Sequence, residues 1–217
     1  MNSSSPPTVI TAPIPPFRLW TPEERRASLE ETLSHWRTGE DVWVFAYGSL
    51  IWRPDFDFQE RRLATLHGHH RALCLWSRVN RGTPECPGLV FALDRGGSCR
   101  GMAYRLAGSA VPTFFPGLWD REMSTGAYAP RWISCSTDQG PVKALVFIMN
   151  RENPGYIPTL PEAELLAIIQ RASGINGRCT DYVIQTDQAL RSVGIRDTRL
   201  EKIAKKLQEG DFVLPEN

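Results

Sequence analysis

Between residues 42 and 149 the chain is broken into short β-prone apolar runs, and after residue 160 it changes to helical periodicity; that order limits the folds open to it. Val42–Ala46, Arg61–His67, Arg71–Trp76, Gly88–Leu93, Cys99–Leu106, Ala127–Ser134 and Val142–Met149 read as strands. Pro161–Ser173, Thr180–Leu190 and Thr198–Glu209 read as helices, the first opened by Pro161 and Glu162 and closed by Gly174. One helix precedes the strands. Thr21 is a good N-cap, Pro22 suits the first helical position, and Glu23 and Glu24 place acids in the first turn. It is expected to run to Arg37 and stop at Gly39. Val111–Met123 also has helix spacing, and Pro116-Gly117 is expected to kink or divide it. Strands first and helices gathered late predict a compact mixed α+β domain.

At 217 residues one domain is the favoured count, large enough to bury a core without disulfide or metal staples. No repeat or linker interrupts residues 17–217, which are read as that single domain. Residues 1–16 differ in kind. They hold five of the 17 prolines and no Lys or Arg, so they read as an extended or disordered Pro/Ser-rich arm rather than a signal peptide. The 25 basic and 24 acidic side chains nearly cancel to +1, which offers no footprint for nucleic acid. No apolar run reaches the roughly 20 residues of a membrane span. Cys74, Cys86, Cys99, Cys135 and Cys179 are odd in number and show no CxxC spacing, so reduced thiols in a cytoplasmic protein are expected.

Motifs that would demand a cofactor are missing from the sequence. There is no GxGxxG, Walker A or HExxH pattern, and Gly68-His69-His70 has no carboxylate or cysteine at ligand spacing, so it reads as loop histidines and no metal is expected. Tyr47-Gly48-Ser49-Leu50-Ile51 lacks the second glycine of a serine-hydrolase elbow. That same junction nevertheless stands out. A glycine directly after an apolar strand lets successive amides point one way, forming a nest for a carboxylate or a developing oxyanion; a plain turn is the other reading. The second feature is Glu122. In a helix it falls one turn beyond Leu118 and Trp119, on an apolar face where desolvation raises a carboxyl pKa and prepares it for proton transfer. Pairing with a nearby arginine is the alternative there, and Glu85, in a loop between Pro84 and Pro87, is a weaker rival as a base.

Together these residues resemble the ChaC-type γ-glutamylcyclotransferase family. The resemblance runs through Phe45-Ala46-Tyr47-Gly48-Ser49-Leu50-Ile51-Trp52, Arg81-Gly82-Thr83-Pro84-Glu85-Cys86-Pro87-Gly88 and Gly101-Met102-Ala103-Tyr104-Arg105-Leu106. It continues in Trp119-Asp120-Arg121-Glu122 with Tyr128, and in Gly177-Arg178-Cys179-Thr180-Asp181-Tyr182. Five motifs in order span about Val42 to Leu207. Two departures are visible: Met123-Ser124-Thr125-Gly126-Ala127 stands where the family commonly has a double glycine, and Cys179-Thr180-Asp181-Tyr182 replaces Asn-Thr-Glu-Tyr.

The resemblance implies a mixed sheet or small barrel with flanking helices, and an enzyme that closes the γ-glutamyl group of glutathione into 5-oxoproline, releasing Cys-Gly. It implies Glu122 as general base and acid, no cofactor, and a substrate held by Tyr47, Gly48, Ser49, Leu50, Arg81 and Tyr182. Arg53, Arg78 and Arg178 are further candidates for the glycine carboxylate. The alternatives are a cyclotransferase acting on other γ-glutamyl amino acids or amines, and a non-catalytic regulatory protein with the same fold.

Overall fold

A computed structural model describes residues 17–209; the Pro/Ser-rich arm lies outside them. Five strands close a barrel: β1 (Val42–Ala46), β2 (Glu60–Ser77), β3 (Gly88–Leu106), β4 (Tyr128–Thr137) and β5 (Val142–Met149). Their order is β1-β3-β2-β4-β5. β5 returns beside β1 in parallel, Trp43 opposite Ala144, while the other main ladders are antiparallel. Helices α1 (Pro22–Leu33), α2 (Val111–Glu122), α3 (Glu162–Arg171), α4 (Cys179–Ser192) and α5 (Thr198–Glu209) accompany the barrel. A mixed α+β fold with a small barrel is thus what the chain adopts.

Two pairs of expected strands prove to be single long ones. Arg61–His67 and Arg71–Trp76 fuse into β2, and Gly88–Leu93 and Cys99–Leu106 fuse into β3, paired from Glu60–Arg105 to Ser77–Gly88. Gly68, read as a loop residue, sits at a register shift between His67 and His69 with φ of 82°. Gly96 and Gly97, also at positive φ, lie on the facing strand. Such a bulge bends and twists a ribbon without ending it, which is how two long strands curve into a barrel. The glycines that look like strand ends are bends.

Pro116 likewise does not divide α2, which runs unbroken from Val111 to Glu122. Pro112, whose carbonyl loses its partner to that proline, is solvent-exposed, where a freed carbonyl costs least. The opposite face carries Phe115, Leu118 and Trp119 into the core, where Trp119 meets the Phe147 ring edge-on at 5.4 Å. α1 starts as expected, with Thr21 and Glu24 forming a reciprocal capping box, but ends at Leu33. No α1 residue is fully buried. It is tied on by Arg25 to Asp120 at 2.7 Å, by Trp119 Nε1 to Ser28 Oγ at 3.3 Å and by Trp132 Nε1 to the Thr32 carbonyl at 2.9 Å.

Gly101 shows how tightly β1 lies on β3. A Cβ there would fall 2.3 Å from the Ala46 carbonyl oxygen and 2.7 Å from the Phe45 ring, itself fully buried. Gly101→Ala is therefore expected to destabilise by about 1–3 kcal/mol or more, as overpacked cores do. At about 2–4 °C per kcal/mol for a domain of this size, a melting curve reads that as a drop of several degrees. An unchanged melting temperature would mean the strands can part at no cost.

Candidate active site

β1 ends at Ala46 and the chain turns through Tyr47 and Gly48 into a short 3₁₀ turn, Ser49–Ile51. The turn is closed by Ile51 N–H donating to Gly48 and Arg53 N–H donating to Ser49. The amides of Gly48, Ser49 and Leu50 find no acceptor among the described residues, as the first amides of a helical turn do not. Beside the turn opens a cleft of about 650 Å³. Its walls come from Ser49 and Trp52, from Arg121 and Glu122 at the end of α2, from Tyr128 opening β4, from Val79–Arg81, and from Tyr182 on α4.

Asp55, Asp120 and Glu122 are the carboxylates of this cleft, and Glu122 is the buried one, its side chain 14% exposed against 49% for Asp55 and 67% for Asp120. Burial raises its pKa above the ordinary carboxylate value, and the Arg121 guanidinium, 3.1 Å away from Nε to Oε1, pulls the other way. The two readings of Glu122 therefore coexist: it is both desolvated and paired with an arginine. Arg121 does more than pair. It donates to Ser49 Oγ at 2.9 Å, to the Arg53 carbonyl at 2.7 Å and to Asp55 at 2.7 Å, joining the end of α2 to the loop after β1.

Three tyrosines surround the carboxylate. Tyr47, Tyr128 and Tyr182 all have hydroxyl pKa values raised by burial, and the Glu122 charge pushes each further up. They are neutral donors or acceptors, not bases. Tyr182 accepts from Phe91 N–H at 3.1 Å, and Tyr128 donates to the Phe91 carbonyl at 3.3 Å. A Cβ added at Gly48 would stand 3.6 Å from the Tyr182 hydroxyl, so the turn and α4 face each other.

Arg81 lines the cleft with its guanidinium 5.2 Å from the Tyr182 ring centre. Its loop closes because Gly82 and Gly88 are bare: a Cβ on the first would lie 2.2 Å from Gly88 N, and on the second 2.2 Å from the Arg81 carbonyl oxygen. Ser77 Oγ accepts from Arg81 N–H at 2.9 Å, and the Arg81 side chain donates to the Asn176 carbonyl.

Of the residues singled out from sequence, Ser49, Arg81, Glu122 and Tyr182 line the cleft; Tyr47, Gly48 and Leu50, the chain neighbours of Ser49, are buried and do not line it. Among the other arginines, Arg53 lines the cleft, paired with Asp55 at 3.2 Å; Arg78 and Arg178 do not. Arg78 is buried under the Phe17 ring, and Arg178 is exposed. Glu85 is exposed and off the cleft. Burial pushes the thiols of Cys74 and Cys135 up to about 12 and that of Cys179 to about 11, so none is a thiolate nucleophile. All five cysteines are free. Arg121 adjoins Glu122 in sequence, and that adjacency is the signal that could have marked it.

A desolvated carboxylate in a cleft shared with a glycine turn's serine, arginines and neutral tyrosines supplies the groups that acid–base chemistry needs. A sequence model of ChaC-like proteins matches residues 42–210, most of the chain, and the protein belongs to that family. A glutathione-specific γ-glutamylcyclotransferase of Escherichia coli (strain K12) is 39% identical over 198 residues, covering 89% of this chain and 86% of the relative. Glutathione-specific γ-glutamylcyclotransferase 1 of Homo sapiens is 31% identical over 159 residues, covering 70% of this chain and 71% of the relative. A crystal structure of a γ-glutamyl cyclotransferase specific to glutathione from yeast superposes with a TM-score of 0.72 at 19% identity, covering 78% of this chain and 96% of that one. That likeness is one of fold.

Proposed function

We propose that this chain is a γ-glutamylcyclotransferase that converts glutathione to 5-oxoproline and Cys-Gly. The observation that carries the reading is Glu122, a carboxylate with a raised pKa in a cleft of about 650 Å³, beside a turn with unpaired amides. The relatives' shared specificity for glutathione supports the choice of substrate.

A γ-glutamyl peptide carries its own nucleophile. Holding its α-amino nitrogen against the γ-carbonyl carbon turns the attack into an intramolecular one, which needs no catalytic serine, cysteine or water. Glu122 takes a proton from the α-ammonium; the freed amine adds to the γ-carbon, forming the new C–N bond of the five-membered ring. Negative charge on the γ-oxygen meets the amides of Gly48, Ser49 and Leu50. Glu122 then returns its proton to the cysteinyl nitrogen as the γ-oxygen re-forms its carbonyl and the old C–N bond breaks, and the second proton shed by the ring nitrogen is taken up by the released amine of Cys-Gly. The carboxyl ends as it began. Tyr128 and Tyr182 wall the reacting centre, and Arg81, supported on the Tyr182 ring, takes the glycine carboxylate.

The test is product identity. Purified protein with glutathione is expected to release 5-oxoproline and Cys-Gly; glutamate with Cys-Gly would mean hydrolysis and end the cyclisation mechanism. A panel of γ-glutamyl amino acids and amines fixes the substrate range. The near-neutral charge gives nucleic acid no purchase, and the free thiols suit the cytoplasm as the working compartment. Residues 17–217 are proposed as one domain, with residues 1–16 a dispensable arm on the strength of their Pro/Ser composition. Deleting residues 1–16 is accordingly expected to leave turnover and melting temperature nearly unaltered, and a loss of several degrees would show a packed arm.

A further inference from the structure

Arg71 lies outside the cleft lining, yet it holds the carbonyl of the first residue of the turn. Its side chain is 4% exposed, and each guanidinium nitrogen has an acceptor on a different part of the fold. Nε donates to the Tyr47 carbonyl at 2.6 Å, Nη1 to Asp197 Oδ2 at 2.7 Å and Nη2 to the Arg100 carbonyl at 2.6 Å. Asp197, in turn, caps α5: its Oδ1 accepts from Leu200 N–H at 3.1 Å and its carbonyl from Glu201 N–H at 2.8 Å. Tyr47 and Asp197 thus meet through one buried arginine.

In a trans peptide the C=O and N–H groups point in opposite directions. Fixing the Tyr47 carbonyl on Arg71 therefore fixes the Gly48 N–H, a member of the same peptide plane, facing away from Arg71. A cation on the carbonyl also polarises that plane and strengthens its N–H as a donor. The Gly48 amide has no acceptor among the described residues, so nothing on its own side holds it. The orientation is set from behind.

We infer that Arg71 is a positioning residue for catalysis: anchored by Asp197, it aims the Gly48 amide toward the charge that develops in the reaction. The inference rests on the proposed cyclotransferase activity and on the turn as its anion site. A lysine at 71 keeps the charge but cannot reach three acceptors in three directions. Losing one oxyanion donor outright costs about 10²–10³ in kcat, so misaiming it in Arg71→Lys is expected to cost about tenfold or more. KM should stay within about threefold, because the glycine carboxylate is bound elsewhere.

The experiment measures kcat, KM and melting temperature for Arg71→Lys, Arg71→Ala and Asp197→Asn. The expected pattern is a loss in kcat at near-constant KM for Arg71→Lys, a larger loss for Arg71→Ala that millimolar guanidinium partly restores, and an intermediate loss for Asp197→Asn. Turnover of Arg71→Lys within threefold of wild type, or losses that merely follow the folded fraction, would overturn the role. If neither Arg71 variant folds, Asp197→Asn decides, and an unchanged kcat there ends the inference. Wild-type protein that fails to release 5-oxoproline would sink the functional reading alone. The Gly48 amide resonance then tests the tie by itself: it should move in Asp197→Asn while those of α1 stay fixed, and an unmoved Gly48 signal refutes it.

Discussion

Glu122→Gln is expected to lower kcat by about 10²–10⁴-fold, the usual worth of general acid–base catalysis. The amide keeps the size of the carboxylate and can still accept from Arg121, but it cannot take the α-ammonium proton. Substrate binding should survive within roughly tenfold, since the turn amides and Arg81 remain. Stability moves the other way. A carboxyl whose pKa is raised in the folded state binds its proton more tightly there than in the unfolded chain. Wild-type stability therefore falls as pH climbs from the ordinary value of 4.5 through the raised one. Gln carries no such penalty, so the variant should melt at or above the wild-type temperature near neutrality, and the gap should close in acid. Were Glu122 only a structural partner of Arg121, the variant would melt earlier and its folded fraction would turn over normally. A rate assay, a binding isotherm and melting curves at two pH values separate the two outcomes.

How much of this site is readable from the sequence depends on how local each cause is. The turn after β1 is legible because an apolar run followed by Tyr47-Gly48-Ser49 has few ways to end, and Glu122 because helical spacing places it one turn beyond Leu118 and Trp119. The capping box of α1 is local too. The fusion of four expected strands into two is not. Gly68, Gly96 and Gly97 signal a break in extended chain, and only pairing across β2 and β3 decides whether it is a turn or a bulge. Pro116 carries the same ambiguity, settled by which side of α2 faces water. Arg71 and Asp197 lie 126 residues apart, and no spacing rule connects them. Arg78, one of four arginines weighed for the substrate, ends beneath Phe17 instead, a contact between residues 61 positions apart that no local pattern marks.

Arg121→Gln is expected to shift the acid limb of the kcat/KM profile to higher pH. Two opposing influences set the Glu122 pKa: burial raises it, and the Arg121 charge and hydrogen bond lower it. Removing the guanidinium leaves burial unopposed, so the carboxyl holds its proton to higher pH. The working form accepts a proton from the α-ammonium and must be ionised. On the acid side of the limb each pKa unit gained removes about tenfold of that form, so the loss should be greatest below neutrality and shrink as pH rises. A second loss, independent of pH, should accompany it, because Ser49, Asp55 and the Arg53 carbonyl lose a shared donor and the turn is less firmly tied to α2. The shape of the profile separates these effects. A displaced limb reports the electrostatic role and a uniform drop reports the tie. If the limb stays where it is in the wild type, then Arg121 does not tune Glu122, and the titrating group that limits activity in acid is some other residue or the substrate itself.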